Sequence, residues 1–173
     1  GLLQAGHRRL RHRVDWYVVL DDDTFLRVDV LRGLLAKLDP GRPLMIGSPV
    51  DSSPFLRPAD IEVHGMSRHC GGGSAWVLSR ALMDTLVPRL DSCLEARHTR
   101  RWWYHDEVEI GRCAHALLGL NCTSPDELID ELGPDLASLR FMGSLNTPQL
   151  WERFWAETKT HDAAVRARLV SIH

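Results

Sequence analysis

The 173-residue sequence predicts a single domain of the α/β class, and three observations carry that reading. Short apolar, β-branched runs alternate with segments whose leucines recur at helical spacing, the pattern of strands covered by helices. Neither an internal repeat nor a Ser/Gly-rich linker divides the chain. Composition is that of an ordinary folded domain, 44% hydrophobic and 25% charged, which excludes a disordered tail.

Element by element, Asp15 to Leu20 (DWYVVL) reads as a buried central strand ending abruptly in Asp21, Asp22 and Asp23. Its C-terminal edge is where open α/β sheets place ligands. Leu31, Leu34, Leu35 and Leu38 predict a helix with Asp29 as N-cap and Asp39-Pro40-Gly41 as its stop. Leu44 to Gly47 predicts the next strand. Ser48 to Cys70, with Pro49, Pro54 and Pro58, is too long and irregular for a simple connection, which suggests a functional loop. Ala75 to Leu78 reads as a strand, and Ser79 as the cap of a helix running to about Leu90. A second helix starts near His105 and is stopped by Gly119. Thr147-Pro148 opens an amphipathic helix with Leu150, Trp151, Phe154 and Trp155, and Leu169 to Ile172 makes a last strand.

Twenty-one Lys and Arg against twenty-three Asp and Glu give a net charge of −2. No net positive field is available for nucleic acid or anionic lipid, which argues against a polyanionic partner. No apolar run approaches the roughly 20 residues that cross a bilayer. Membrane attachment is therefore expected only through an anchor outside this chain. The sequence opens without Met in a stretch that reads as mid-helix, so a fragment or processed product is expected.

Four cysteines at positions 70, 93, 113 and 122 fit neither a CxxC pair nor a zinc ribbon, and as an even set they allow three disulfide pairings. Cys93 with Cys113 is the favoured pair, because one follows a helix and the other lies on the next, with a loop between. Asn121-Cys122-Thr123 is an N-glycosylation sequon. Both features point to the secretory pathway.

Three constellations can carry chemistry. Three aspartates closing a buried strand repel one another, and a divalent cation relieves that repulsion. On an extended backbone Asp21 and Asp23 would point to the same side and share a metal with a substrate's phosphates. Gly71, Gly72, Gly73 and Ser74 lack bulky side chains and allow close approach of a ligand, although the segment matches neither a dinucleotide fingerprint nor a phosphate loop. Asp106, Glu107 and Glu109 open a helix, where the macrodipole favours negative charge. Trp102, Trp103 and Tyr104 lie just upstream and suit stacking on a sugar ring or docking of their own loop.

Taken together, DWYVVLDDDTFL, then GGGSAWVLSRALM, then DEVEIGRC resemble the fringe-like and core-1 β1,3-galactosyltransferase-like group of inverting glycosyltransferases. The resemblance covers Asp15 to Cys122. It implies a GT-A-like, Rossmann-type mixed sheet flanked by helices, here lacking the N-terminal nucleoside-binding strands. It further implies a UDP-sugar donor, a glycan or glycoprotein acceptor, a β1,3-type linkage and residence in the Golgi lumen. Within it, Asp21 and Asp23 bind Mn2+ or another divalent cation, with His173 on the last strand as a further ligand. Asp21, Asp22, Gly71, Gly72, Gly73, Ser74 and Trp103 form the donor and acceptor cleft. The catalytic base is Glu107 by position, directly before Val108, or Asp106 by residue type. Adjacent helical residues project about 100° apart, so only one of the two faces a substrate hydroxyl. A non-catalytic fringe-like paralogue that binds glycan or protein is the alternative function. A phosphohydrolase of the haloacid dehalogenase type fits poorly, because Phe25 stands where that motif needs Thr or Val.

Overall fold

The computed structural model describes residues 1–52, 67–95, 106–142 and 169–172. In chain order these are α1 (Leu2–Leu10), β1 (Trp16–Val19), β2 (Phe25–Leu26), α2 (Val28–Leu35), β3 (Met45–Ile46), β4 (Pro49–Asp51), β5 (Arg68–Cys70) and β6 (Trp76–Ser79). Then follow α3 (Arg80–Leu86), α4 (Leu90–Glu95), α5 (Asp106–Leu118), α6 (Ile129–Ala137), β7 (Arg140–Met142) and β8 (Leu169–Ile172). None of the described helices is long and apolar enough to cross a membrane.

Among the described residues the strands form three small sheets, ordered β1-β6-β3, β2-β8-β7 and β4-β5, and their pairs are antiparallel except β7 with β8. The first sheet is apolar on both faces, and the period-2 alternation of its strands separates two cores. Ile46 and Val77 face one core with Leu31, Leu34, Leu132, Phe141 and Val170. Met45, Trp76 and Leu78 face the other with Leu82, Met83, Ile110 and Cys113. Helices thus cover the sheet on both sides, the layering expected of the α/β class.

Several sequence expectations change in detail. Among the described residues β6, not β1, is the central and fully buried strand, with Val77 and Leu78 wholly inaccessible. β1 pairs only with β6 among the described residues, and of its four residues only Tyr17 is buried. Asp29 lies inside the first turn of α2, where it accepts from the Arg27 side chain at 2.7 Å; the N-cap position is Arg27. This contact draws the Asp29 carboxyl below its ordinary pKa. Helix α2 ends at Leu35, and Asp39 closes the following turn by accepting from the Gly41 amide at 2.8 Å.

Other expectations hold. Ser79 caps α3, its hydroxyl accepting from the Leu82 amide at 3.2 Å, and a single 3-10 turn (Val87–Arg89) joins α3 to α4. Gly119 ends α5 in the left-handed region at φ 66°, where glycine carries no Cβ penalty. Of the stretch Ser48 to Cys70, the two ends pair as the β4-β5 ladder, with Pro49 opposite Cys70, and residues 53–66 between them lie outside the described residues. The helix expected from Thr147 lies outside the described residues.

Both disulfides that four cysteines permit are present, Cys70–Cys122 and the expected Cys93–Cys113, with Cα separations of 5.2 and 6.0 Å. Those separations fall in the ordinary range for bridged cysteines. The second bridge ties α4 to α5. Beside it Arg112 and Glu109 form a buried ion pair at 2.9 Å, and Arg112 also donates to the Cys93 carbonyl at 2.7 Å. Of the three acids opening α5, Glu109 is therefore committed to the interior. A buried charge of this kind is tolerated only with a close partner and satisfied donors.

Candidate functional site

The three chemical motifs of the sequence meet at one place. β1 ends at Val19, and Asp21 to Thr24 form a turn closed by the Thr24 amide donating to the Asp21 carbonyl at 3.2 Å. Asp21, Asp22 and Asp23 are exposed on this turn. The extended backbone that would point Asp21 and Asp23 to the same side is not what forms, because the chain reverses here to enter β2. Exposure also removes the desolvation that a buried strand end would have imposed on the carboxylates.

Thr24 is the residue that joins the acidic turn to the glycine segment, its hydroxyl donating to the Gly73 carbonyl at 3.2 Å. The glycine segment is itself a tight turn. Its Gly71 amide donates to the Ser48 carbonyl at 2.8 Å, and the buried Ser74 hydroxyl donates back to the Gly71 carbonyl at 3.0 Å.

Glu107 completes the group from the opposite side. A Cβ placed on Gly72 would stand 2.6 Å from Glu107 Oε1, so this carboxylate lies directly against the glycine backbone. One turn further along α5, a Cβ on Gly111 would stand 2.6 Å from the His69 Cβ and 2.8 Å from its Cα. Glu107 and Gly111 share a helix face, as i and i+4 positions do. Close contact of α5 with β5 at Gly111 therefore seats Glu107 over the segment into which β5 runs.

Asp106 faces elsewhere. It lines a cavity of about 660 Å³ that follows β1 from Trp16 to Leu20, walled by Leu3, Leu10, Leu94 and Ile110, with Asp91 and Glu109 as further acids. Tyr17 also lines it, and the buried Tyr17 hydroxyl has no hydrogen-bond partner among the described residues. Burial raises the Tyr17 pKa, Asp84 adds to the rise and Arg80 opposes it.

A family model described as Fringe-like matches residues 4–139, more than half of the chain. The chain belongs to the Fringe-like family. Chondroitin sulfate synthase 3 of Mus musculus is 27% identical over 122 residues, which is 70% of this chain and 13% of that protein. Chondroitin sulfate glucuronyltransferase of Homo sapiens is 31% identical over 126 residues, again 70% of this chain and 14% of that protein. The chain thus spans a small part of the length of these relatives. What the matches support is a glycosyltransferase-type domain.

In this Fringe-like domain the turn of Asp21, Asp22 and Asp23 is tied through Thr24 to the segment Gly71, Gly72, Gly73 and Ser74, and Glu107 lies against that segment, while Asp106 lines the cavity along β1. Trp103 and His173 lie outside the described residues. Strand β8 pairs with β2, the strand after the acidic turn, placing Ile172 opposite Phe25; it does not pair with β1. Among the described residues no group of three or more His, Cys, Asp or Glu is placed to hold a metal ion. Asp21 and Asp23 are exposed carboxylates, the oxygen-donor type that hard cations take alongside water and phosphate. Sequence reasoning does not single out Thr24 or Gly111: Thr24 stands immediately after the triplet and Gly111 within DEVEIGRC, but their partners Gly73 and His69 are distant in the chain.

Proposed function

We propose that residues 1–173 are part of the catalytic domain of a metal-dependent inverting glycosyltransferase with a GT-A-like fold. Its donor is a UDP-sugar, its acceptor a glycan or glycoprotein, and its linkage of the β1,3 type. The observation that carries this reading is the convergence of the acidic turn, the glycine segment and Glu107 through the Thr24–Gly73 and Gly72–Glu107 contacts. A working site needs a diphosphate-binding group, an open cleft and a base within one constellation, and scattered motifs would not have given it.

Asp21 and Asp23, with His173 as a further ligand, are the residues that would hold Mn2+ or a similar ion. When bound, that ion neutralises charge on the departing diphosphate. Glu107 is the base. Its carboxylate takes the proton of the acceptor hydroxyl as that oxygen bonds to the anomeric carbon and the bond to the diphosphate breaks on the opposite face, inverting the centre. The glycine segment lets acceptor and donor approach the backbone beside Glu107. Asp106, on the cavity side of the helix, does not reach the same substrate hydroxyl. The two disulfides favour the secretory pathway, and the Golgi lumen is the compartment proposed within it.

Calorimetry of UDP binding to the full-length protein, with and without Mn2+, tests the assignment. Binding that requires the metal and is lost in Asp23→Ala is expected. Metal-independent binding that survives Asp23→Ala contradicts it.

A further inference from the structure

A cationic cluster lies outside the site just described. Arg8, Arg9, Arg11 and Arg13 are all exposed, as is His12 between them. The helical path continues past α1, with the Arg11 amide donating to the His7 carbonyl at 2.9 Å and the Arg13 amide to the Leu10 carbonyl at 2.7 Å. Arg8 with Arg11, and Arg9 with Arg13, therefore stand at neighbouring i,i+3 and i,i+4 positions. None of the four makes an ion pair among the described residues; Arg11 only donates to His12, at 2.9 Å.

Three acids near α1 are already engaged. Asp15 pairs with Arg80 at 2.9 Å, Asp84 with the buried His7 at 2.7 Å, and Asp91 accepts from Gln4 at 2.6 Å. The 3-10 turn packed against α1 adds Arg89, also exposed. A helix C-terminus favours a cation or two in its last turn. Four arginines in six residues, none of them in an ion pair among the described residues, exceed that need.

We propose that α1 and the turn after it form a binding site for a linear polyanionic glycan bearing carboxylate or sulfate groups. Arginine presents a planar fork that matches both groups bidentately. The chain's net charge of −2 does not oppose this, because charges in physiological salt are felt over only about 8 Å, so recognition reads the local patch. Net charge, the ground of the expectation against a polyanionic partner, does not weigh such a local patch. The disulfides favour an oxidising compartment, where glycans rather than nucleic acids are the polyanions at hand. The choice of a glycan rests on the glycosyltransferase reading. Arg13 precedes β1 and the acidic turn follows it, so the four-residue strand sets the two sites roughly 13 Å or more apart. A chain of several sugars spans that distance; a single sugar does not.

The test measures binding of size-defined chondroitin sulfate chains to the full-length protein over a series of salt concentrations. Comparison is with the variant carrying Arg8→Gln, Arg9→Gln, Arg11→Gln and Arg13→Gln. Wild type should bind long chains with a steep salt dependence, and the variant should bind about ten-fold or more weakly with a shallower salt slope. UDP affinity and the melting profile should stay unchanged. Should the quadruple variant fold poorly, the pairs Arg8→Gln with Arg11→Gln and Arg9→Gln with Arg13→Gln should each show part of the loss. Equal affinity in the variants, or tighter binding of duplex DNA or phosphatidylserine vesicles than of chondroitin sulfate, would overturn the proposal. Failure of the enzyme reading has a different signature: no UDP binding by wild type, with the chondroitin sulfate result intact.

Discussion

The contact of α5 with β5 and the segment beyond it has two ends, and each is made by a glycine. At Gly111 the neighbour is the Cβ and backbone of His69; at Gly72 the neighbour is the carboxylate tip of Glu107. Both approaches are 2.6 Å from where a Cβ would stand. The distances match, but backbone cannot move aside whereas the end of a glutamate can. One end of the interface therefore fixes the helix, and the other leaves an acid adjustable over an open turn.

Substitution by alanine separates the two ends. Gly111→Ala should be the larger structural loss, because the methyl group must displace β5 or α5. Alanine favours a helix by about 1 kcal/mol over glycine, whereas overpacking against backbone costs about 1–3 kcal/mol and more when nothing yields. Chemical denaturation should show a net destabilisation. A variant as stable as wild type would mean that the interface is looser than described.

Gly72→Ala should behave in the opposite way. Glu107 swings aside at small cost, so the fold should be kept within about 1 kcal/mol while transfer falls by an order of magnitude or more. Retained activity would break the link between the glycine segment and the base. The smallest effect is expected at Thr24→Val, which keeps shape and removes the hydroxyl donated to Gly73. One such hydrogen bond contributes about 0.5–1.5 kcal/mol, so a modest drop in stability should accompany weaker donor binding.

The same comparison explains what was legible in the sequence. Alternating apolar runs placed β1, β3, β6 and α5 within a residue or two, because hydrophobic period records burial, whereas α2 ends three residues short of Leu38. Ser79 and Gly119 were readable as helix punctuation for local reasons. The position of β1 was not readable: a short apolar run looks the same at the edge as in the centre, and only the pairing of β6 between β1 and β3 decides it. The backbone of the acidic triplet is not legible for a related cause, since Asp suits both a strand end and a turn. Gly111 lies inside DEVEIGRC, yet its reason is a contact with His69, which is distant in sequence. That Asp106 and Glu107 project apart follows from helix geometry, but that Glu107 faces the glycine segment depends on the packing of α5 on β5.

The central claim is that Glu107 is the base and Asp106 is not. Sugar transfer by the full-length protein should be measured for Glu107→Gln and Asp106→Asn beside UDP affinity in the presence of Mn2+. Glu107→Gln removes proton acceptance with little change of shape, so transfer should fall by on the order of 100-fold or more while UDP binding persists. Asp106→Asn should retain most of its turnover. Near-normal transfer in Glu107→Gln together with its loss in Asp106→Asn would contradict the account and place the reacting hydroxyl on the cavity side of α5.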